Sequence, residues 1–346
     1  MTGKTRAGGG LKSRIQFRHS FEDIISVENL LAAWQEFLKG KRKKSDVVEF
    51  SMHLMDNILA LHYDLADRTY KHGGYKAFNI SDPKPRNIHK ATVRDRLLHH
   101  AIYRKLYPFF DRTFIADSFS CRKDKGTHKA LNRFRAFAWK VSKNNKRSCF
   151  ILKGDIRKFF ANIDHEILLS ILRKYIPNCD LSQLLSEIIG SFSPGLPLGN
   201  LTSQLFVNIY MNEFDRFMKH KSKAKYYIRY ADDFVILSQN RKWLLKLIAQ
   251  IRNFLRDELR LELHPHKIFI ETLASGVDFL GWVHFPDHRI LRTSTKRRML
   301  KRLSENLAPE TLNSYLGLLK HGNTYKIQKK IRTENFINSP QYPEFA

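Results

Sequence analysis

The chain is expected to be an α+β protein, and three observations predict this. Helical and strand-like segments alternate along it without the regular βαβ rhythm of a doubly wound sheet. Two short runs rich in aromatic and β-branched residues, Tyr226-Tyr227-Ile228-Arg229 and Phe234-Val235-Ile236-Leu237, flank a tight turn and read as a hairpin. No internal repeat is present, and 346 residues suffice for two or three structural units around a sizeable core.

Apolar spacing predicts a helix over 21–39. After the charge run Lys41-Arg42-Lys43-Lys44, Asp46 is placed to cap a long helix reaching Thr69, which His72-Gly73-Gly74-Tyr75 ends. Phe78-Asn79-Ile80 and Pro83-Lys84-Pro85-Arg86-Asn87-Ile88 read as an extended basic ribbon, and a helix over 92–110 opens with Arg94-Asp95-Arg96. At Ser148 the character changes: an apolar strand runs to Lys153 and ends at Asp155. Helices are expected over 165–174 and 181–191. A Pro/Gly segment over 193–200 then leads into a helix over 201–220. Beyond the hairpin come an amphipathic helix over 241–258, strands near 267–271 and 277–284, and a basic, mostly helical stretch from 294.

Hydrophobic residues make up 42% and charged residues 27%, which is ordinary. The charge balance is not: 61 Lys and Arg stand against 33 Asp and Glu, a net +28. Such an excess points to an extended polyanion partner, because each neutralised phosphate releases condensed counterions. Scattered solubilising lysines are the plainer alternative. Cys121, Cys149 and Cys179 lie far apart with no Cys-x-x-Cys, so neither a disulfide scaffold nor a zinc site is expected and a reducing cytoplasm is the natural setting. No apolar stretch is long enough to span a membrane, and the basic, Gly-rich start reads as a flexible arm rather than a signal peptide.

The chemistry gathers at Tyr230-Ala231-Asp232-Asp233. Two adjacent carboxylates at a hairpin tip repel unless a cation lies between them. Asp155 also ends a strand, and if the strands are neighbours three carboxylates converge. That suits two Mg2+ ions about 3.5–4 Å apart, one activating a hydroxyl and one stabilising the leaving oxygen. Each residue alone has a plainer reading, Asp155 as a helix cap and Asp232-Asp233 as turn residues. Arg86, with Lys84 beside it, and Arg94 with Arg96 could grip a triphosphate through their forked donors, or simply form a solvated basic face. Phe160, five residues after Asp155, could wall off the space beside a sugar; by spacing alone a core role leads. Gly195 to Gln204 reads equally as a helix-entry loop and as a ligand loop in which Ser203 and Gln204 bond a base or sugar. His99, His100, His264 and His266 lack metal-ligand spacing.

In combination and order, these motifs resemble bacterial, non-long-terminal-repeat reverse transcriptases. Tyr230-Ala231-Asp232-Asp233 resembles the family's Tyr-x-Asp-Asp palm motif. Gly154-Asp155-Ile156-Arg157-Lys158-Phe159-Phe160 resembles the first palm motif. The resemblance implies catalytic Asp155, Asp232 and Asp233, a metal set that adds Ile156, and Phe160 at the ribose-discriminating position beside Phe159. Arg86 through Arg96 resembles the fingers motifs. Leu263-His264-Pro265-His266-Lys267 resembles a palm segment bearing a lysine near the phosphates, and Phe279-Leu280-Gly281-Trp282 resembles the primer grip. The implied nucleotide set is Lys84, Arg86, Arg96, Phe159, Phe160, Leu198, Gly199, Gln204 and Lys267. The implied architecture is a right-hand polymerase: a basic arm over 1–20, an N-terminal extension and fingers over 21–147 interleaved with the palm, a palm over 148–285 with an antiparallel sheet and helices on one face, and a helical thumb over 286–346.

One motif narrows the resemblance. Other members commonly carry Pro-Gln-Gly followed by Ser-Pro; here the chain reads Pro197-Leu198-Gly199-Asn200-Leu201-Thr202-Ser203-Gln204. This is similar to reverse transcriptases of diversity-generating retroelements, which copy a template-repeat RNA with frequent errors at adenines for mutagenic retrohoming. The resemblance implies two Mg2+ ions (or Mn2+), template RNA, cDNA primer and product, dNTPs, and a small basic oligomeric accessory protein, in a bacterial or phage-encoded cytoplasmic enzyme. The stretch after Trp282 has room for a thumb but not for maturase, endonuclease or RNase H domains, which sets aside a self-sufficient group II intron protein. A retron or phage-defence reverse transcriptase, and a non-catalytic RNA-binding scaffold, are the alternatives.

Overall fold

The computed structural model describes residues 15–81, 85–305 and 308–337. Four helices come first: α1 (Phe21–Ile25), α2 (Val27–Phe37), α3 (Ser45–Met52) and α4 (Leu54–Ala66). An antiparallel ribbon of β1 (Tyr75–Ile80) and β2 (Arg86–Ala91) precedes helices α5 (Val93–Asp111) and α6 (Thr127–Val141). Strand β3 (Phe150–Asp155) is followed by α7 (His165–Arg173), α8 (Cys179–Gly190) and α9 (Leu201–Arg216). The hairpin β4 (Tyr227–Tyr230) and β5 (Asp233–Ser238) leads to α10 (Arg241–Leu259). Strands β6 (Phe269–Thr272), β7 (Val277–Phe279), β8 (Trp282–His284) and β9 (Arg289–Leu291) precede α11 (Thr293–Glu305), α12 (Pro309–Leu319) and α13 (Tyr325–Ile337). Among the described residues no helix is long and apolar enough to cross a membrane. Most of the expected arm, and Lys84 with it, lies outside the described residues.

Three expectations are corrected. The helix over 21–39 breaks at Ser26, whose hydroxyl caps α2 by accepting from the Asn29 N–H. The single helix from Asp46 to Thr69 is two, interrupted at His53 (φ −120°, ψ 42°). Asp46 is not its cap but sits in the first turn of α3, where its carboxylate accepts from Lys90 (2.6 Å) and Arg96 (2.5 Å). The helix from Leu201 stops being α-helical at Arg216 and ends in a π turn over Phe217–Lys221. Thr92 caps α5, its hydroxyl accepting from the Asp95 N–H.

The chain forms two compact units that interleave along the sequence. One takes residues up to Ile115, Lys158–Asp215 and Phe254–Leu261; the other takes Ala116–Arg157, Arg216–Asn253 and everything from Glu262. In the first, α2 packs on α5, burying Leu30, Trp34, Phe37, Leu97, Ile102 and Phe110. Large apolar side chains of this kind contribute about 1.5–3 kcal/mol each on burial. The base of its ribbon is tied down by Asp95, a buried carboxylate that accepts from the Tyr70 hydroxyl (2.8 Å), the Thr92 hydroxyl (2.6 Å) and the Gly73 N–H (3.1 Å).

The second unit is built on an antiparallel sheet of order β4-β5-β3-β6. In β5 all four residues Phe234, Val235, Ile236 and Leu237 are buried, as a central strand covered on both faces requires. Helix α6 packs on β4 and β5. Its Ala130, Leu131, Phe134, Phe137, Ala138 and Val141 join Ile151, Val235, Phe279, Trp282, Met299 and Leu319 in one core. A three-stranded sheet of order β7-β8-β9 belongs to the same core. Gly154 is fixed by close approach: a Cβ there would lie 2.2 Å from Phe234 Cζ.

Candidate active site

The sheet register brings the three predicted carboxylates to one edge. Asp155, last in β3, pairs with Asp233, first in β5, and Asp233 in turn pairs with Tyr230 across the two-residue loop Ala231-Asp232. The end of β3 is stapled to that loop, the Ile156 N–H donating to the Asp232 carbonyl at 3.3 Å. It is stapled on its other side too, where the His264 N–H donates to the Asp155 carbonyl (2.8 Å) and Ile156 bridges to Leu263. Tyr230 is held by the Thr127 hydroxyl at the start of α6, 3.1 Å from its own.

Charge at this edge is partly balanced by lysines. Burial pushes the Asp233 carboxyl up to about 6; Lys153 opposes the rise, while the charges of Asp232 and Asp155 add to it. The Lys267 ammonium lies 3.1 Å from both Asp155 oxygens. Among the described residues no group of three His, Cys, Asp or Glu side chains stands in a metal-holding arrangement. Still, the donor chemistry suits a hard divalent cation. Hard cations take carboxylate oxygens, and mutual repulsion among these acids is what a cation relieves.

A second group forms within the first unit. The Leu198 carbonyl accepts from the His89 N–H of β2 (2.9 Å), and a Cβ at Gly199 would lie 2.7 Å from Ile88 Cγ2. The Leu196 N–H donates to the Phe160 carbonyl (2.8 Å), and a Cβ at Gly195 would meet that carbonyl at 2.2 Å. The ribbon, the loop and the Phe159-Phe160 turn are thus knitted together. Phe159 is buried, Phe160 and Leu198 are half-buried, and Gly199 is exposed. Within the loop Gly195, Leu196 and Pro197 are all buried. Gln204 is half-buried one turn into α9.

The other predicted residues divide. Arg86 is exposed at the start of β2. Arg96 is committed to Asp46 and to the Phe37 ring, its centroid 5.0 Å away, with 14% of its side chain exposed. In the expected primer-grip segment, Phe279 and Trp282 are buried in the second unit's core. Its tip, Leu280-Gly281, is half-buried and turns through positive φ at both residues (51° and 83°). Sequence reasoning missed Lys153, whose charge bears on Asp233, and Thr127, which holds Tyr230. The alternation in β3 carries no sign that the charge of its single lysine bears on an acid 80 residues away in the chain.

Comparison with known proteins agrees with this geometry. Residues 76–284 match the family model for reverse transcriptase (RNA-dependent DNA polymerase). The chain is 25% identical over 287 residues to Protein YkfC of Escherichia coli, covering 70% of this chain and 71% of that protein. It is 23% identical over 324 residues to the group II intron-encoded protein LtrA of Lactococcus lactis, covering 72% of this chain but only half of LtrA. A telomerase structure from Candida albicans, in complex with a fragment of telomeric RNA, superposes with a TM-score of 0.50 at 11% identity, covering 80% of this chain and 58% of that one. That likeness bears on the fold, which is the mixed helix-and-sheet, right-hand polymerase class expected. With a family match spanning more than half of the sequence and both palm motifs at one sheet edge, the chain belongs to the reverse transcriptase (RNA-dependent DNA polymerase) family.

Proposed function

We propose that the chain is the RNA-directed DNA polymerase of a diversity-generating retroelement, making adenine-mutagenic cDNA from a template-repeat RNA. The polymerase part of this reading is carried by the Asp155–Asp233 pairing with Asp232 beside it. Asp155, Asp232, Asp233 and the Ile156 backbone would hold two Mg2+ (or Mn2+) ions, which when bound activate the primer hydroxyl and neutralise charge on the leaving oxygen. The chain's own residues do the rest. Lys267, whose ammonium lies 3.1 Å from both Asp155 oxygens, would meet triphosphate charge arriving there, and Phe160 would exclude a ribose 2′-hydroxyl. Arg86 supplies an exposed guanidinium on the ribbon, suited to phosphate oxygens.

Asp232→Ala with Asp233→Ala should abolish divalent-metal-dependent DNA synthesis on a primed RNA while RNA binding persists. Synthesis that survives the double substitution would overturn the metal-site reading.

The retroelement part rests on Leu198-Gly199 and Ser203-Gln204. A glutamine at position 198 could hydrogen-bond and pack against the incoming nucleotide; a leucine cannot bond, so checking of base-pair geometry loosens. The main-chain tie between Leu198 and His89 supports placing this residue in the nucleotide wall. Leu198→Gln should lower misincorporation opposite template adenine, read by sequencing primer-extension products. An unchanged error spectrum would sink this part alone. A small basic accessory protein is part of the same proposal, and extension with and without the product of a neighbouring gene tests it.

A further inference from the structure

Immediately before the catalytic-type turn lies a charged residue that neither motif reading nor metal chemistry uses. Arg229, in β4, has no exposed surface. Its neighbours in the strand, Tyr227 and Ile228, are equally buried. A guanidinium is costly to take from water, and a well-packed apolar side chain of similar size commonly fills such a place at no loss of stability. What arginine adds is a planar fork of donors in fixed directions. Here Nη1 donates to the carbonyl of Ala231 (3.1 Å) and Nη2 to the hydroxyl of Ser118 (3.0 Å).

Both acceptors are informative. Ala231 is the first loop residue of the Tyr230–Asp233 turn and has φ +56°, a left-handed conformation that a residue with a Cβ adopts at a cost of about 1 kcal/mol or more. Its carbonyl belongs to the peptide that joins it to Asp232. Whatever holds that carbonyl therefore fixes the plane from which the Asp232 main chain departs. Ser118, at the other prong, lies on an extended segment that pairs with β4 as a parallel partner at Arg229. The Arg229 N–H donates to the Asp117 carbonyl and the Phe119 N–H donates to the Arg229 carbonyl, each at 3.0 Å. That segment is anchored in turn by the buried Asp117 carboxylate, which accepts from Arg133 Nε of α6 (2.6 Å) and from Lys219 Nζ (3.0 Å).

We infer that Arg229 is a positioning residue for nucleotidyl transfer, a buried fork that transmits the rigidity of the 117–119 segment and α6 to the Ala231-Asp232 peptide and so aims the Asp232 carboxylate. This deepens the proposed polymerase reading and rests on it. The geometry accounts for an arginine in a strand that is otherwise apolar there, and for a left-handed alanine persisting at a loop with no glycine.

Four full-length proteins test it: wild type, Arg229→Met, Arg229→Lys and Ser118→Ala, with Asp232→Ala as control. Three readouts are taken: steady-state extension at varied dNTP and Mg2+, Mn2+ binding by electron paramagnetic resonance, and amide hydrogen exchange across residues 226–238 without metal. Loss of aim by about 1 Å is worth on the order of 100-fold in rate. Arg229→Met should therefore lower kcat by that order with KM for dNTP unchanged, weaken Mn2+ binding several-fold, and speed exchange in the 226–238 peptide. Arg229→Lys should recover part of the rate. Ser118→Ala keeps the Ala231 bond but removes the Ser118 acceptor of Nη2, and should show the same signs at about a tenth of the size. Should Arg229→Met fail to fold, Ser118→Ala decides. Wild-type kcat, Mn2+ affinity and exchange in Ser118→Ala, or a loss that appears in KM for dNTP alone, would overturn the inference. Asp232→Ala separates the two layers: if it polymerises, the proposed function fails; if it is dead while Arg229→Met and Ser118→Ala behave as wild type, only the positioning role fails.

Discussion

Substituting Gly154 by alanine should disturb both stability and chemistry, and the size of the disturbance follows from packing. The added methyl would sit 2.2 Å from Phe234 Cζ and 2.8 Å from Cε1 and Cε2. Carbon atoms in contact prefer about 3.5–4.0 Å, so either the ring retreats or β3 and β5 splay. The ring has nowhere to go, being 1% exposed in the middle of a fully buried strand. Overpacking of this kind costs about 1–3 kcal/mol. For a unit of this size each kcal/mol lowers Tm by about 2–4 °C. Splaying would also separate Asp155 from Asp233, since Gly154 pairs with Phe234 and the two acids are the next pair in the ladder. Extension by Gly154→Ala should therefore fall by one to two orders of magnitude, more than the stability loss alone accounts for at a temperature where the protein remains folded. Phe234→Leu makes room, so the double variant should be less destabilised than the sum of the singles. Thermal unfolding and primer extension of the four proteins give the coupling. Strict additivity, or a Gly154→Ala protein with unchanged Tm and rate, would refute the packing argument.

Two further predictions concern buried polar groups. His284 sits against the Phe134 ring near Arg289; burial, helped by the Arg289 charge, pulls its pKa down to about 3. The unfolded chain then binds a proton near pH 6.5 that the folded one refuses. Stability is fully present above that pH and is lost as pH falls toward 3, at up to about 1.4 kcal/mol per pH unit. His284→Phe should flatten the acid limb of the stability curve relative to wild type, measured by denaturant unfolding between pH 4 and 8. Asp95→Ala removes the acceptor for Tyr70, Thr92 and Gly73 and strands three donors. It should cost about 3 kcal/mol or more, with denaturant midpoints as the check.

What the sequence conveyed depended on how local the physics was. The hairpin was readable because its signal is local: two apolar runs and a turn. Asp155 was readable as a strand end, but its register opposite Asp233 is a non-local fact that only the fold supplies. Arg96 shows the limit, because an arginine opening a helix looks the same whether it meets phosphate or Asp46, 50 residues earlier in sequence. Lys267 was expected near phosphates; its ion pair with Asp155, 112 residues earlier, is a further non-local fact that only the fold supplies. Helix α6 was not anticipated although its buried positions, Leu131, Phe134, Phe137, Ala138 and Val141, recur at helical spacing. Arg229 carried no signal at all, since its burial depends on the 117–119 segment laid beside it.

The interleaving of the two units has a consequence for how the molecule is made. During synthesis the helices up to Ile115 emerge long before Lys158–Asp215, the segment that completes their unit. The second unit likewise waits for everything beyond Glu262. Neither core can close on the ribosome as a contiguous piece, so both depend on loop closures spanning many tens of residues, which slow folding and prolong exposure of apolar surface. A truncated or split version of this chain would strand part of each core. Studies of its pieces are best made by substitution within the intact chain.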